Sequence, residues 1–308
     1  MNKALPVLLK NIQFNIMYVL QSDAMFNRNE YKRRFGKFPN LKSPKTFSEK
    51  LTYLKEHYYN PLQNTCADKF LVCQYVKLCG FADILKDVYQ VCSSPEEIDL
   101  SKMPDKFFIQ CSHTQGHNYI VSKTDTKKIE DIKKEYKYLL KRKHYKILRE
   151  NCYKNIVPKI ICSEYLQDPN SQDLTDYKFY CFNGKPKYLM VSYGELCHDV
   201  KNHKFDMEWN SIDHLFKKQS TIDVASIKKP DNYERMVEIV SKLCEPFPHV
   251  RVDLYNLSGR IVFGEMTFYS AGGFVNGRGR VQEEVGSEEM NTMIGSWIDL
   301  EKYSQYMV

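Results

Sequence analysis

The stretch RVDLYNLSGRIVFGEMTF, residues 251 to 268, constrains this chain more than any other. A Ser-Gly pair at 258–259 separates two runs rich in β-branched and aromatic residues, the pattern of two strands joined by a tight turn. Successive side chains of a strand point to opposite faces. Val250, Val252 and Leu254 therefore share an apolar face, and Arg251, Asp253 and Tyr255 share a polar one. By the same count Ile261, Phe263, Glu265 and Thr267 lie together on the second strand. The turn leaves the register open, and about half of the registers bring Asp253 and Glu265 to one side. Two carboxylates there repel each other unless something positive sits between them.

The remaining 290 or so residues, roughly, are ample for a large core. At 308 residues and 43% hydrophobic, the chain fits two or three closely joined subdomains. Its longest uncharged stretch near the start, Asn11 to Ser22, is too short to span a bilayer, and no small-residue cleavage site follows it. Ten cysteines without a CxxC pair suit buried thiols in a reducing cytosol. A cytoplasmic location is the expectation. Residues 1 to 21 read as one amphipathic helix with Lys3 and Lys10 as its only charges. Such a helix docks on the body of the protein or rests on a membrane surface, and the first is the commoner outcome.

The formal charge of +7 is concentrated. Residues 127 to 149 hold ten Lys or Arg against Glu130, Asp131 and Glu135. Ile129, Ile132, Tyr136, Leu139 and Leu140 recur there at helical spacing, so the segment reads as a helix with a basic face. That face is either solvated or meets an anionic partner: a nucleotide-linked substrate, a membrane surface or nucleic acid. No RNA-binding motif or stacking pattern accompanies it, which argues against nucleic acid. Thr46 and Glu49 have capping-box spacing, and a helix is expected from about Thr65 to Gly80. Strands are expected at 106–111, 119–121 and on either side of the Asn183-Gly184 turn, with helices near 231–243 and 287–300. Cys111, His113 and His117 lack a nearby fourth ligand for zinc, and the adjacent Cys197 and His198 do not orient a thiol against a base.

Four segments in order, NPLQNTCADKF, YKNIVPKIICSEYL, DYKFYCFNGKPKY and VRVDLYNLSGRIVFGEMTF, resemble the TupA-like ATP-grasp family of bacterial surface-polysaccharide gene clusters. The likeness runs from about SPKTFSEKLTYLK to the loop after the hairpin. It implies an α+β ATP-grasp fold in which two α+β subdomains hold ATP between them. The division expected is a helical extension at 1–64, a small subdomain with a phosphate-covering loop and the basic helix at 65–155, and a subdomain carrying the hairpin at 156–308.

The resemblance also assigns residues. Gln110, the loop residues Gly116 and Asn118, and Lys159 would meet the phosphates; Gly116 would let backbone amides turn inward on an anion. Glu164, Tyr165 and Leu166 would flank adenine. Lys178 and Arg251 would neutralise charge on the transferring phosphoryl group, as catalytic residues. Asp253 and Glu265, with Thr267, would hold Mg2+, which keeps several waters and so needs few side-chain ligands. Two positions depart from the family pattern: Gln110 stands where a phosphate-binding lysine is usual, leaving Lys106 or Lys159 as substitutes, and Thr267 replaces the Asn of Glu-x-Asn.

The implied activity is an ATP-dependent carboxylate-amine ligase acting through an acyl phosphate, with an amino acid and a uronic acid sugar or glycan as substrates. The alternatives are a sugar kinase, a glycosyltransferase, or an ATP-binding module without turnover. Peripheral contact at the inner face of the membrane is compatible with the first helix.

Overall fold

A computed structural model describes residues 3–171, 174–193, 201–216, 227–275 and 287–308. Two antiparallel sheets carry the fold. The smaller runs in the order β1 (Val88–Cys92), β4 (Ile160–Glu164), β2 (Lys106–Cys111), β3 (Tyr119–Ser122). The larger runs β7 (Lys201–Asp206), β6 (Lys185–Tyr193), β5 (Asp176–Phe182), β8 (His249–Leu257), β9 (Arg260–Thr267). Mixed helices and sheets make the fold α+β. β4 lies beyond the division expected at residue 155, yet it is bonded between β1 and β2 in the smaller sheet.

Each sheet packs one face against a helix, and the period of two puts the cleft-lining residues on the other. On β2, Phe107, Ile109 and Cys111 pack against Ile129, Ile132, Tyr136 and Leu139 of α6 (Thr126–Leu139). Lys106, Phe108 and Gln110 therefore occupy the opposite face. In the larger sheet Val250, Val252 and Leu254 meet Met236, Ile239, Val240 and Leu243 of α8 (Tyr233–Cys244). Each such burial stabilises the fold by about 1.5–3 kcal/mol, which fixes the strand phase.

Helix α1 (Ala4–Leu20) docks on the body as its composition allows. Val7 enters the smaller core, while Asn11 donates to the Tyr138 carbonyl at 2.8 Å and accepts from Arg142 Nε at 2.8 Å. After α2 (Asp23–Phe35), α3 (Phe47–His57) starts with the expected capping box of Thr46 and Glu49. The single helix expected from about Thr65 to Gly80 is broken into α4 (Pro61–Ala67) and α5 (Val72–Leu78). The cause is Asp68, whose carboxylate accepts from the backbone amides of Phe70 and Leu71 and so favours a turn over continued helix. The basic segment likewise divides into α6 and a short α7 (Tyr145–Leu148), and α9 (Glu288–Ser296) follows the hairpin. Neither α2 nor β1 and β7 was anticipated from the sequence pattern. Cys197 and His198 lie outside the described residues.

Candidate active site

The hairpin's register answers the question its sequence raises. Asp253 stands directly opposite Glu265, and the next pair is Leu254 with Phe263, so Gly264 is an extra residue on β9. This β-bulge corrects the simple count, in which Phe263 and Glu265 share a face. Phe263 turns to the core with Leu254, and Glu265 turns to the polar side with Asp253. A Cβ at Gly264 would lie 2.9 Å from the Asp253 carbonyl oxygen, so the bulge needs a glycine.

Arg251 is the positive group between the carboxylates. Its Nε and Nη2 donate to the two Asp253 oxygens at 2.7 and 2.6 Å, and Nη2 also reaches Glu265 Oε1 at 3.3 Å and Thr267 Oγ1 at 3.2 Å. Thr267 in turn donates to Glu265 Oε1 at 3.0 Å. Thr267 is thus a brace that orients the glutamate. On the neighbouring strand Lys178 pairs in register with Asp253 and is bonded to Asp176. Burial, reinforced by the charge of Asp176 and opposed by Arg251, pushes the Asp253 carboxyl up to about 6. Burial also opposes ionisation of Glu265, but Lys69 and Arg251, with the Thr267 hydroxyl, hold that carboxyl below its ordinary value. Arg251 resists its own burial through Asp253 and stays charged.

These side chains form one wall of a cleft of about 490 Å³ between the two sheets. The opposite wall comes from the smaller sheet: Phe108 and Gln110 of β2, Ile120 of β3, and Asn118 from the preceding loop. Two lysines that the sequence did not single out, Lys69 and Lys86, also line it. Lys69 lies in the α4–α5 break, where its amide donates to the Ser112 carbonyl and its ammonium reaches the Thr114 carbonyl at 3.1 Å and lies 3.9 Å from Glu265. Lys86 precedes β1 and lies over the Phe108 ring at 5.2 Å; burial pulls its ammonium below the ordinary lysine value. At one end Leu166, Leu174 and Tyr255 line the cleft, and Leu166 packs with Leu257 and Val262. That apolar end suits a planar base, and the cationic end suits phosphates.

Other expected residues are placed differently. Lys159 lies outside the cleft lining, its ammonium held by Ser93 Oγ at 2.8 Å just past the end of β1. It does not replace a phosphate lysine here, and Lys106 lies over the Tyr165 ring at 4.1 Å. Gly116 has φ +68°, the left-handed conformation that favours glycine, in the loop leading to Asn118. Glu164 borders the cleft, but Arg260 grips its two oxygens at 2.6 and 2.8 Å. This pair ties the end of β4 to the start of β9. Cys111 is buried in the core, His113 meets the Leu139 carbonyl, and His117 is bonded to Glu135, so these three do not converge on a metal.

The two carboxylates in register fit a hard dication that draws its remaining ligands from phosphate and water. Among the described residues no cluster of three or more His, Cys, Asp or Glu makes a self-sufficient metal cage.

Two α+β layers closing on a cleft, apolar at one end and lined with lysines and in-register carboxylates at the other, define the class of ATP-grasp proteins. The model of the TupA-like ATPgrasp family matches residues 49–290, and the chain belongs to that family. It is an ATP-grasp enzyme, and ATP with Mg2+ are the cofactors of its class. Among solved structures it is similar to the D-alanine–D-alanine ligase of Helicobacter pylori, at 12% identity and a TM-score of 0.44, over 85% of this chain and 69% of that one. The D-alanine–D-alanine ligase of Bacillus anthracis complexed with ATP gives 12% identity and 0.45, over 85% and 76%. The ATP-grasp ligase PsnB, complexed with minimal precursor, Mg and ADP, gives 10% and 0.39, over 72% and 57%. No curated protein matches the sequence.

Proposed function

We propose that this protein is a carboxylate-amine ligase that joins an amino acid to a uronic acid sugar of a bacterial surface polysaccharide. The observation that carries the reading is the pairing of Asp253 and Glu265 across β8 and β9, braced by Arg251 and facing Lys69 and Lys86. A substrate carboxylate would attack the γ-phosphate of ATP, and an amine would then displace phosphate from the acyl phosphate, leaving an amide, ADP and phosphate. Two anions must meet for the first step, so the chain's work is positioning and charge neutralisation. Lys69 and Lys86 would hold the phosphates, Asn118 and Gln110 would donate hydrogen bonds to them, and Lys178 and Arg251 would face the transferring group. Asp253 and Glu265 would hold Mg2+, which would supply positive charge to offset that of the phosphates. Leu166, Leu174 and Tyr255 would enclose the adenine, while Glu164, held by Arg260, would set the height of the opening. The reading places the reaction in the cytoplasm, where ATP is supplied, and keeps 1–64 as an extension of the two subdomains. No described helix is long and apolar enough to cross a membrane.

The test is incubation with Mg·ATP, a panel of amino acids, and glucuronate or galacturonate as free sugar, glycoside and nucleotide sugar. ADP and product mass are followed together. A ligase yields ADP and phosphate in equal amounts and a product heavier by the amino acid less one water. A phosphorylated sugar would make the protein a kinase, and sugar transfer without ATP use a glycosyltransferase. ATP binding without turnover on the whole panel, lipid-linked acceptors included, would leave a binding module.

A further inference from the structure

Helix α1 spends only part of its apolar surface on docking. Leu5, Leu9, Ile12, Ile16 and Leu20 follow the spacing of a helical stripe, and each is between 48% and 71% exposed. Scattered surface apolar residues need no explanation, but a continuous row along a 17-residue helix does. The docked row is a different one: Val7, Asn11 and Asn15, which meet the smaller core, Tyr138 with Arg142, and Lys146 in turn. Contacts that advance together along both partners mean that α1 runs parallel to α6 and the segment after it.

This parallel arrangement fixes what lies beside the stripe. At 3.6 residues per turn, the exposed apolar row sits about two fifths of a turn round α1 from its docked row. On α6 the exposed Lys127 and Lys134 lie about a tenth of a turn in the opposite sense from Tyr138, and the exposed Lys141 follows just beyond the helix end. Between parallel right-handed helices, those opposite rotations point the same way, away from the smaller sheet. Of the three lysines, Lys134 has a carboxylate partner in Asp131 at 3.9 Å, a weak exposed pair. An apolar row and a row of lysines thus share one side of the molecule, on the back of the smaller sheet from the cleft.

We propose that this side docks the protein on an anionic phospholipid surface, α1 lying in the plane of the interface. Its apolar row enters the boundary between headgroups and acyl chains, and Lys127, Lys134 and Lys141 meet the lipid phosphates. A helix of this length lies about 25 Å along the surface, and none of the described helices can cross it. The arrangement leaves the cleft on the solvent side of the sheet, free to open while the protein is bound.

The test is flotation of the full chain with vesicles of phosphatidylcholine alone and of equal parts phosphatidylcholine and phosphatidylglycerol, at low and high salt. Binding to the anionic vesicles, weakened by salt and weak on the neutral ones, is the expected result. The double variant Leu9→Glu, Ile16→Glu should bind at least about tenfold more weakly, since both side chains face solvent and their loss should leave folding intact. Replacing Lys127, Lys134 and Lys141 by Gln should cost about fivefold per lysine. ATP binding should stay unchanged in both variants, because none of these residues lines the cleft. No preference for anionic vesicles, or full binding by both variants, would overturn the proposal. So would a dimer in solution that Leu9→Glu, Ile16→Glu dissociates while vesicle binding by the parent protein is absent, for then a second copy covers the stripe.

Discussion

The two walls of the cleft are built by different means. The wall from the larger sheet takes Arg251, Asp253, Glu265, Asp176 and Lys178 from adjacent strands, and its charges are already paired with one another. The wall from the smaller sheet offers neutral strand residues, Phe108 and Gln110, and receives its positive charge from Lys69 at a helix break and Lys86 ahead of a strand. One wall is preorganised by strand pairing, the other by how separate segments pack. Charges fixed in a ladder are costly to unpair, whereas charges delivered by loops can adapt to a ligand.

The sharpest break of that contrast is Arg251→Ala. It strands a buried Asp253, so folding should lose about 3–5 kcal/mol in chemical denaturation, and product formation should slow by about a hundredfold or more. An Arg251→Ala protein of full stability would mean that the larger wall is not held by its ion pairs. Asp253→Asn and Glu265→Gln should fold yet lose most of the magnesium dependence of nucleotide binding in calorimetry, since an amide is a poor ligand for a hard dication. Equal ATP affinity with and without the substitutions would remove the metal from this hairpin.

Lys69→Ala and Lys86→Ala should each weaken ATP binding by about tenfold, the worth of one charge-assisted hydrogen bond, with little loss of stability. Acid should act on the larger wall alone. Because burial raises Asp253 to about 6, its native carboxyl takes up a proton as pH falls through about 6, before the unfolded one does. Magnesium-dependent binding should therefore drop by about tenfold one unit below that value, while folding gains stability from this group between about 6 and its unfolded value. A binding curve flat from neutrality to pH 5, roughly, would show that Arg251 keeps Asp253 ionised. Smallest of all is Gln110→Lys: with Lys69 and Lys86 already at the cleft, ATP affinity should change by less than about threefold. A larger gain would restore Gln110 to the place of the phosphate lysine.

The difference between the walls also decides what the sequence made legible. Strand positions announce themselves by alternation, so β2, β3, β5, β6 and the hairpin are expected close to where they lie, and Lys178, Arg251, Asp253 and Glu265 do converge. Lys69 and Lys86 carry no such signal. Lys69 sits in a segment whose periodicity reads as continuous helix, and only the Asp68 turn, a competition between side chain and backbone, directs it to the cleft. Lys159 differs the other way: it flanks a strand of the smaller sheet, but its ammonium is bonded to Ser93 and does not line the cleft. The face of Phe263 was misread because a bulge cannot be counted from alternation alone, although the glycine at 264 was its visible trace.

Gly264 has one more consequence. The cleft face and the core face of β9 are written in the same two-beat rhythm, and the glycine is the single syncopation that separates them. A substitution elsewhere on the strand changes one side chain; the loss of this one codon would shift the beat, pointing Glu265 and Thr267 into the core or Phe263 into the cleft. The hairpin should therefore accept many replacements across evolutionary time and almost no insertions or deletions between Phe263 and Glu265, an inversion of the tolerance expected where a surface loop carries the chemistry.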